Sequence, residues 1–239
     1  IRQFRKLMFS KPAIYTDREK IANTSAALQG LPAIEQVLFD DKLSTKLLGD
    51  DEDATFLCGY GMAIGANLER ITGELTAEWP DFAKSMVEAG PDSMDYPDAK
   101  FAATDLYRAL HEGLLIKDAK ASRAESPTSK RSLRNIAHNL TGLFAIYDGK
   151  WGDTGEEGKG LAALIDSSLM DRSFRLNWQN VIDALGDLPP SIVELLDQPD
   201  GYQKLADFAG QISFINSLVE NDVGGTTQLG GGFNSLDGD

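Results

Sequence analysis

The sequence predicts an all-α protein, because apolar residues recur at helical spacing along most of the chain and no comparable alternating stretch predicts a strand. Three apolar stripes carry this prediction. They are Phe56, Tyr60, Ile64, Leu68 and Ile71; Leu133, Ile136, Ala137, Leu140, Phe144 and Tyr147; and Leu205, Phe208, Ile212, Ile215 and Val219. Each stripe lies on one helix face, which predicts that the face is buried in a core.

Capping and breaking residues indicate where helices begin and end. Thr16 with Glu19, and Ser191 with Glu194, have the spacing of a capping box, in which the first side chain accepts a hydrogen bond from a first-turn amide. The glycine-rich stretch 224–232 predicts a loop or an extended arm, because glycine disfavours helical conformation.

Length and linker composition predict two domains. A chain of 239 residues exceeds the usual size of one domain, so one large domain or two smaller ones are both open and length favours two. The polar run 120–130, which contains a Ser-Pro step, is the best candidate linker between two helical bundles. We therefore expect one bundle over residues 1–125 and a second over residues 126–239.

Composition excludes several classes of protein. The chain has 23 basic and 37 acidic residues, a net charge of -14, which repels nucleic acids and anionic lipid surfaces. The sequence contains no apolar run of about 18 residues, so it predicts no membrane span, and no signal peptide is visible. Cys58 is the only cysteine, which excludes an intrachain disulfide. Its apolar neighbours predict a small buried side chain.

The familiar catalytic motifs are absent from the sequence. It contains no HExxH, no GxSxG and no glycine-rich phosphate loop. His111 and His138 are the only histidines, and neither has a second ligand three or four residues away on its helix. The acidic cluster 50–53 lacks the spacing of a calcium loop and predicts a helix start instead.

Two segments are candidates for a functional site. In the first, Glu35 is a carboxylate among apolar residues, placed after Gly30 and Pro32. Because proline starts helices well, Glu35 should lie in the first turn after a break, where a carboxylate is favoured. From the residues alone, a helix-start role and a functional role for Glu35 are equally supported.

The second candidate segment is the end of the chain, residues 231–239. It carries Phe and Leu among Asn, Asp and Gly, which predicts that it docks onto the body of the protein. Asn234, Asp237 and Asp239 would then offer oxygen ligands or hydrogen-bond acceptors to a pocket.

Together these segments resemble the imelysin family, in its imelysin-like lipoprotein branch. GLPAIEQVLF at residues 30–39 is similar to that branch's form of the family motif GxHxxE, and GFNSLDGD at 232–239 is similar to the family's ending. NLERITGELTAEW at 67–79, and RNI at 134–136 followed by YDG at 147–149, are similar in type and order. The resemblance therefore spans nearly the whole chain.

The resemblance implies two four-helix bundles with a site near their interface. It also implies a bacterial periplasmic or outer-membrane location, an association with iron uptake and a peptidase label. The family's first helix is not evident ahead of Ile1, so we expect either that the first bundle is incomplete at its N-terminus or that its opening segment is missing from this sequence.

Carried over residue by residue, the motif places a ligand-binding site at Gly30, Pro32 and Glu35, joined by Asn234, Asp237 and Asp239 from the tail. Glu35 and Asp237 are the expected metal ligands, and no residue is assigned as catalytic. Pro32 stands where the family motif has His, and proline has no side-chain lone pair for a metal. This departure argues against peptidase chemistry, which needs about three protein ligands and a bound water.

Three functions stay open on the sequence alone. The first is an envelope protein that binds iron, another divalent cation or a small iron-bearing ligand, alongside other envelope iron-uptake proteins. It would contact a membrane only through a lipid anchor upstream of this chain, and it would not bind nucleic acid. The second is an interaction module in which Glu35 orders a helix junction. The third is a divergent metallopeptidase that uses His111 or His138.

Overall fold

Most of the described part of the chain is helical. The computed structural model describes residues 2–113, 126, 128–150 and 158–229, and these contain no strand, which confirms the all-α prediction. The α-helices are α1 (Arg2–Ser10), α2 (Leu31–Phe39), α3 (Asp41–Leu47), α4 (Glu52–Val87), α5 (Ala99–Gly113), α6 (Ser132–Asp148), α7 (Ser168–Gly186), α8 (Ile192–Leu196), α9 (Gly201–Leu218) and α10 (Gly224–Thr227). Among these residues no helix is both long and apolar enough to cross a bilayer.

The chain divides into two compact units, Ile1–Phe82 and Ala83–Asp239. Helix α5, which the sequence division assigns to the first bundle, packs on α6 within the second unit. The boundary proposed from the sequence, after residue 125, adjoins residues outside the described part and stays a prediction. The arrangement of each unit as a four-helix bundle also stays a prediction.

Tyr60 of α4 lies at the centre of the core of the first unit. Its ring is fully buried and lies 5.8 to 6.0 Å from the rings of Phe4, Tyr15 and Phe56. Its hydroxyl donates a hydrogen bond of 2.6 Å to the carbonyl of Leu28, so the polar end of the side chain is satisfied. Burial raises the pKa of the Tyr60 hydroxyl well above its ordinary value.

The apolar stripe of α4 is buried only along its first half. Phe56, Tyr60 and Ile64 are buried, as predicted, but Ile71 is 44% exposed. The core members of α4 all lie between Phe56 and Leu68, so the rest of the stripe lies beyond the elements that cover the first half. The prediction of a continuous buried face was therefore wrong for Ile71.

Cys58 is exposed, and the prediction of a buried thiol was wrong. The inward face of α4 is occupied by Phe56, Leu57 and Tyr60. Residues two apart on a helix are separated by about 200° around its axis, so Cys58 points away from the core that Phe56 and Tyr60 enter. The apolar neighbours of Cys58 in sequence do not surround it in space.

The second unit has its own core, to which α5, α6, α7 and α9 all contribute. The predicted α9 stripe is buried along its whole length, as expected. On α6, Leu133, Leu140 and Tyr147 are buried, while the other members of its stripe pack partly buried against them. The two apolar stripes that the sequence places in this unit therefore form one continuous core.

One predicted capping box is confirmed and the other is wrong. Ser191 is the N-cap of α8, and its side chain accepts a hydrogen bond from the amide of Glu194. No α-helix starts at Thr16, whose hydroxyl instead donates to the carbonyl of Ala13. The adjacent Asp17 accepts from the amides of Glu19 and Lys20, because its carboxylate is the stronger acceptor.

The start of the glycine-rich stretch is helical, which corrects the prediction of a loop at Gly224. Helix α9 continues through a π-helical turn, Val219–Val223, into α10. Val219 and Val223 are fully buried, and Leu229 beyond α10 is also buried. Burial of these apolar side chains outweighs the conformational entropy that glycine loses in a helix. Residues 230–232 of the stretch lie outside the described part.

Asp53 joins the start of α4 to the ends of α1 and α3 in the first unit. Its carboxylate pairs with Lys11, just after α1, at 2.7 Å and with Lys46 of α3. These two ammonium groups, Lys11 foremost, lower the pKa of Asp53 from 3.8 to about 2. Asp51 beside it accepts from the amide of Ala54. The acidic cluster is therefore a helix start, as its spacing predicts.

We predict that Asp53→Asn destabilises the protein at neutral pH and not at strongly acidic pH. Because the folded pKa of Asp53 is lowered, its contribution is complete above the ordinary value of 3.8 and is lost as the pH falls through about 2. Urea unfolding followed by circular dichroism at a series of pH values measures this difference. Asp50→Asn, a neighbouring carboxylate without an ion pair among the described residues, is the control. A constant difference from pH 7 to pH 2 would contradict the prediction.

Candidate functional site

Gly30 sets the start of the helix that carries Glu35. Its backbone is extended, and its carbonyl accepts from the amides of Ala33 and Ile34 at 3.0 and 3.2 Å. Helix α2 therefore begins at Leu31, with Pro32 inside its first turn, where a missing amide costs no hydrogen bond.

Glu35 consequently lies one residue beyond the first turn, and the prediction that it sits within that turn was wrong. The cause is that Gly30 supplies the extended cap, so the helix starts ahead of Pro32 rather than after it. The attraction between a carboxylate and a helix N-terminus falls off beyond the first turn. The purely structural explanation of Glu35 is weaker for that reason.

Glu35 is half-buried on α2. Ala33 and Val37 on either side of it are 1% exposed and form the inward face of α2. Ile34 and Val37 pack towards Gly61 of α4, where an added Cβ would lie 3.7 and 3.8 Å from them. Glu35 is two residues from both Ala33 and Val37, about 200° around the helix axis, so it lies on the face of α2 away from this apolar contact and is half-buried there.

A buried amide network fixes the segment just before Gly30. The side chain of Gln29 donates to the carbonyl of Thr24 at 2.8 Å and accepts from Asn67 of α4 at 3.1 Å. Asn67 is only 2% exposed, and its oxygen accepts from Arg70 at 3.0 Å. Arg70 in turn pairs with Glu74 one turn further on at 2.7 Å.

The sequence reasoning missed Gln29 and Asn67 as members of this region. The available signal was an amide at position 67 on an otherwise apolar helix face, since buried amides are almost always hydrogen-bonded. The partner of Asn67 lies 38 residues earlier in the chain, and only folding brings the two together.

Of the two predicted metal ligands, only Glu35 lies within the described residues, and these residues do not form a complete metal site. No group of three or more His, Cys, Asp or Glu side chains within them is arranged to hold a metal ion. Pro32 is exposed and contributes no donor atom. Asn234, Asp237 and Asp239 lie outside the described residues, so their placement in a site stays a prediction.

The two histidines both belong to the second unit. His111 is half-buried on α5, with its ring stacked 6.1 Å from that of Tyr107. His138 is exposed on α6. The described residues surround neither histidine with further metal ligands, and a role for either in catalysis gains no support from its surroundings.

The second unit contains a half-buried charged cluster at the YDG sequence. The hydroxyl of the fully buried Tyr147 donates to Asp171 at 2.9 Å, and Arg175 donates to the same carboxylate at 2.9 Å. Arg175 also pairs with Asp148 and lies 5.5 Å from the centre of the Tyr147 ring. Burial, and then the bond to Asp171, raise the pKa of the Tyr147 hydroxyl.

The backbone conformation explains why the YDG sequence ends in glycine. Gly149 ends α6 with a positive φ of 76°, a conformation that glycine adopts without strain. A Cβ on Gly149 would lie 2.3 Å from the amide nitrogen of Gly160. The backbone therefore passes too closely here for any side chain, and the ionic cluster lies beside this crossing.

Comparison with known proteins gives one family match. The family model described as Imelysin, which bears a peptidase name, matches residues 3–218. No curated protein and no solved structure matches the chain significantly. The match includes Gly30, Pro32 and Glu35 but ends before the tail residues Asn234, Asp237 and Asp239.

We predict that Asn67→Ala destabilises the protein by about 1–3 kcal/mol, the cost of leaving buried partners without a hydrogen bond. Gln29 would lose its donor, and the segment that leads into Gly30 would loosen. Chemical unfolding followed by circular dichroism measures the change. The same substitution at the exposed Asn139 of α6 is the control and should cost less than about 0.5 kcal/mol. Equal effects of the two substitutions would show that the network contributes nothing.

Proposed function

The chain belongs to the imelysin family, and from this premise we propose that it is a cell-envelope protein that binds iron, or a small iron-bearing ligand, through Glu35. The observation that carries the proposal is the position of Glu35. It is half-buried at the family motif and lies beyond the turn where a helix start would account for it.

Partial burial suits the carboxylate of Glu35 to a cation. Oxygen ligands are preferred by hard cations and are acceptable to iron, and a half-buried carboxylate attracts a cation more strongly than one in bulk water. The hydrogen bonds of Gln29 and Asn67 support this role, because they fix the segment that starts α2 and so limit the freedom of the ligand.

One carboxylate does not hold iron alone, so the proposal includes further donors. Asp237 is the proposed second metal ligand, and Asn234 and Asp239 are proposed to contact the same ligand. The net charge of -14 also favours the approach of a cation. A ligand that brings its own iron-binding groups would need fewer protein donors.

The proposal is for binding without peptide hydrolysis, although the family model bears a peptidase name. The motif position of the family histidine is occupied by Pro32, which offers no lone pair. A hydrolytic metal centre needs about three protein ligands and a water molecule held for attack. Loss of one ligand removes the capacity to activate water before it removes the capacity to bind.

The cellular setting is proposed from the family resemblance. We place the protein in a bacterial periplasm or at the outer membrane, attached through a lipid anchor upstream of this chain, in the company of other envelope iron-uptake proteins. The acidic composition supports an absence of nucleic acid partners.

Glu35→Gln tests the proposal. The substitution keeps the shape of the side chain and removes its charge, so affinity for iron should fall about tenfold or more, which corresponds to about 1.4 kcal/mol. Isothermal titration calorimetry of the full chain, with ferrous iron in anaerobic buffer and separately with ferric citrate, measures the affinity.

Glu69→Gln, the same change on an exposed residue of α4, is the matched control and should bind like the unmodified protein. Asp237→Asn tests the proposed second ligand in the same titration. Unchanged affinity in Glu35→Gln would remove Glu35 from the site. Peptide cleavage that a chelator abolishes would replace the binding proposal with an enzymatic one.

A further inference from the structure

An open recess lies beside α1 in the first unit, apart from Glu35. Its volume is about 280 Å³, and neither Gly30, Pro32 nor Glu35 lines it. It is lined by Lys6, Leu7, Ser10, Pro12, Tyr15, Ser25 and Leu28. The hydroxyl of Ser10 already donates to the carbonyl of Lys6 at 3.0 Å. The volume lies near the lower limit of pockets that bind organic molecules, so a ligand of one ring fits and a larger cofactor does not.

The walls of the recess are apolar, and two of them are side-chain rings. Leu7 and Leu28 are 3% and 7% exposed and form its floor, while the rings of Pro12 and Tyr15 are half-buried at its sides. The Tyr15 ring is held edge-on against Tyr60 at 5.9 Å, so it presents a fixed surface. Flat apolar walls of this kind favour an aromatic ring over a flexible chain.

The polar groups at the recess are donors. Lys6 forms no ion pair with any described acidic residue, whereas Lys11 and Lys20 are each paired with a neighbouring aspartate. The hydroxyls of Tyr15 and Ser25 have no hydrogen-bond partner among the described residues either. The carbonyl of Leu28 accepts a hydrogen bond from the hydroxyl of Tyr60.

The recess can attract an anionic ligand, although the chain as a whole is acidic. Residues 1–16 contain four basic residues and no acidic residue. The described basic side chains of this segment are Lys6 and Lys11, and Lys11 is paired with Asp53 and Glu52, so Lys6 is the cation that the recess itself offers.

We propose that this recess binds a small aromatic monocarboxylate, with the ring against Pro12 and Tyr15 and the carboxylate paired with Lys6. The hydroxyls of Ser25 and Tyr15 complete the hydrogen bonds of the carboxylate. The site is separate from Glu35 and takes an anion instead of a cation, so it does not rest on the function proposed above.

Benzoate is the probe, and calorimetric titration of the full chain is the measurement. We expect a Kd of about 0.1–1 mM, which is reasonable for a ligand of this size in an open site. Lys6→Gln removes the charge and should weaken benzoate about fivefold or more. Benzyl alcohol, which has the ring without the carboxylate, should bind the unmodified protein more weakly by a similar factor.

Lys42→Gln is the matched control, because Lys42 is an exposed lysine of α3 in the same unit and does not line the recess. It should bind benzoate like the unmodified protein, and so should Glu35→Gln. No binding at about 5 mM benzoate, or equal affinity in Lys6→Gln and Lys42→Gln, would overturn the proposal. Equal binding of benzyl alcohol and benzoate would also overturn it, because the carboxylate would then contribute nothing.

Discussion

The first unit depends on the burial of Tyr60 with its hydroxyl bonded to the carbonyl of Leu28. This bond joins the long helix α4 to a residue 32 positions earlier. A buried phenol without a partner would cost free energy, so the bond fixes the place where Leu28 can lie. The segment after Leu28, including the start of α2 and Glu35, takes its position from this contact.

The same contact connects two surfaces of different chemistry. On one side of Leu28, the amide network of Gln29 and Asn67 leads into α2 and the carboxylate of Glu35. On the other side, Leu28 forms part of the floor of the recess lined by Lys6. A single anchored segment thus separates a candidate cation ligand from a candidate anion site, and each can be altered by substitution without touching Tyr60.

The second unit also has a buried tyrosine whose hydroxyl is hydrogen-bonded, but the acceptor differs. Tyr147 is also fully buried, but its hydroxyl reaches the carboxylate of Asp171, which Arg175 neutralises. A charge in this half-buried position is tolerated because it is paired and hydrogen-bonded. The cluster holds the end of α6 at the close crossing of Gly149 and Gly160. This arrangement gives a physical role to the YDG sequence without assigning it any chemistry.

The sequence by itself determined the helical class, the α9 stripe, the Ser191 cap and the family, because these depend on local periodicity and on short motifs. Only the tertiary structure decided which side chains are covered. Ile71 is exposed although it continues an apolar stripe, and Cys58 is exposed although apolar residues precede it, since burial depends on what packs against a helix face. Glycines 224 and 225 are helical because the valines before them are buried. The partners of Tyr60, Asn67 and Tyr147 lie 24 to 38 residues away in sequence. No local pattern specifies such pairs, because their energy comes from burial that exists only after the helices have packed.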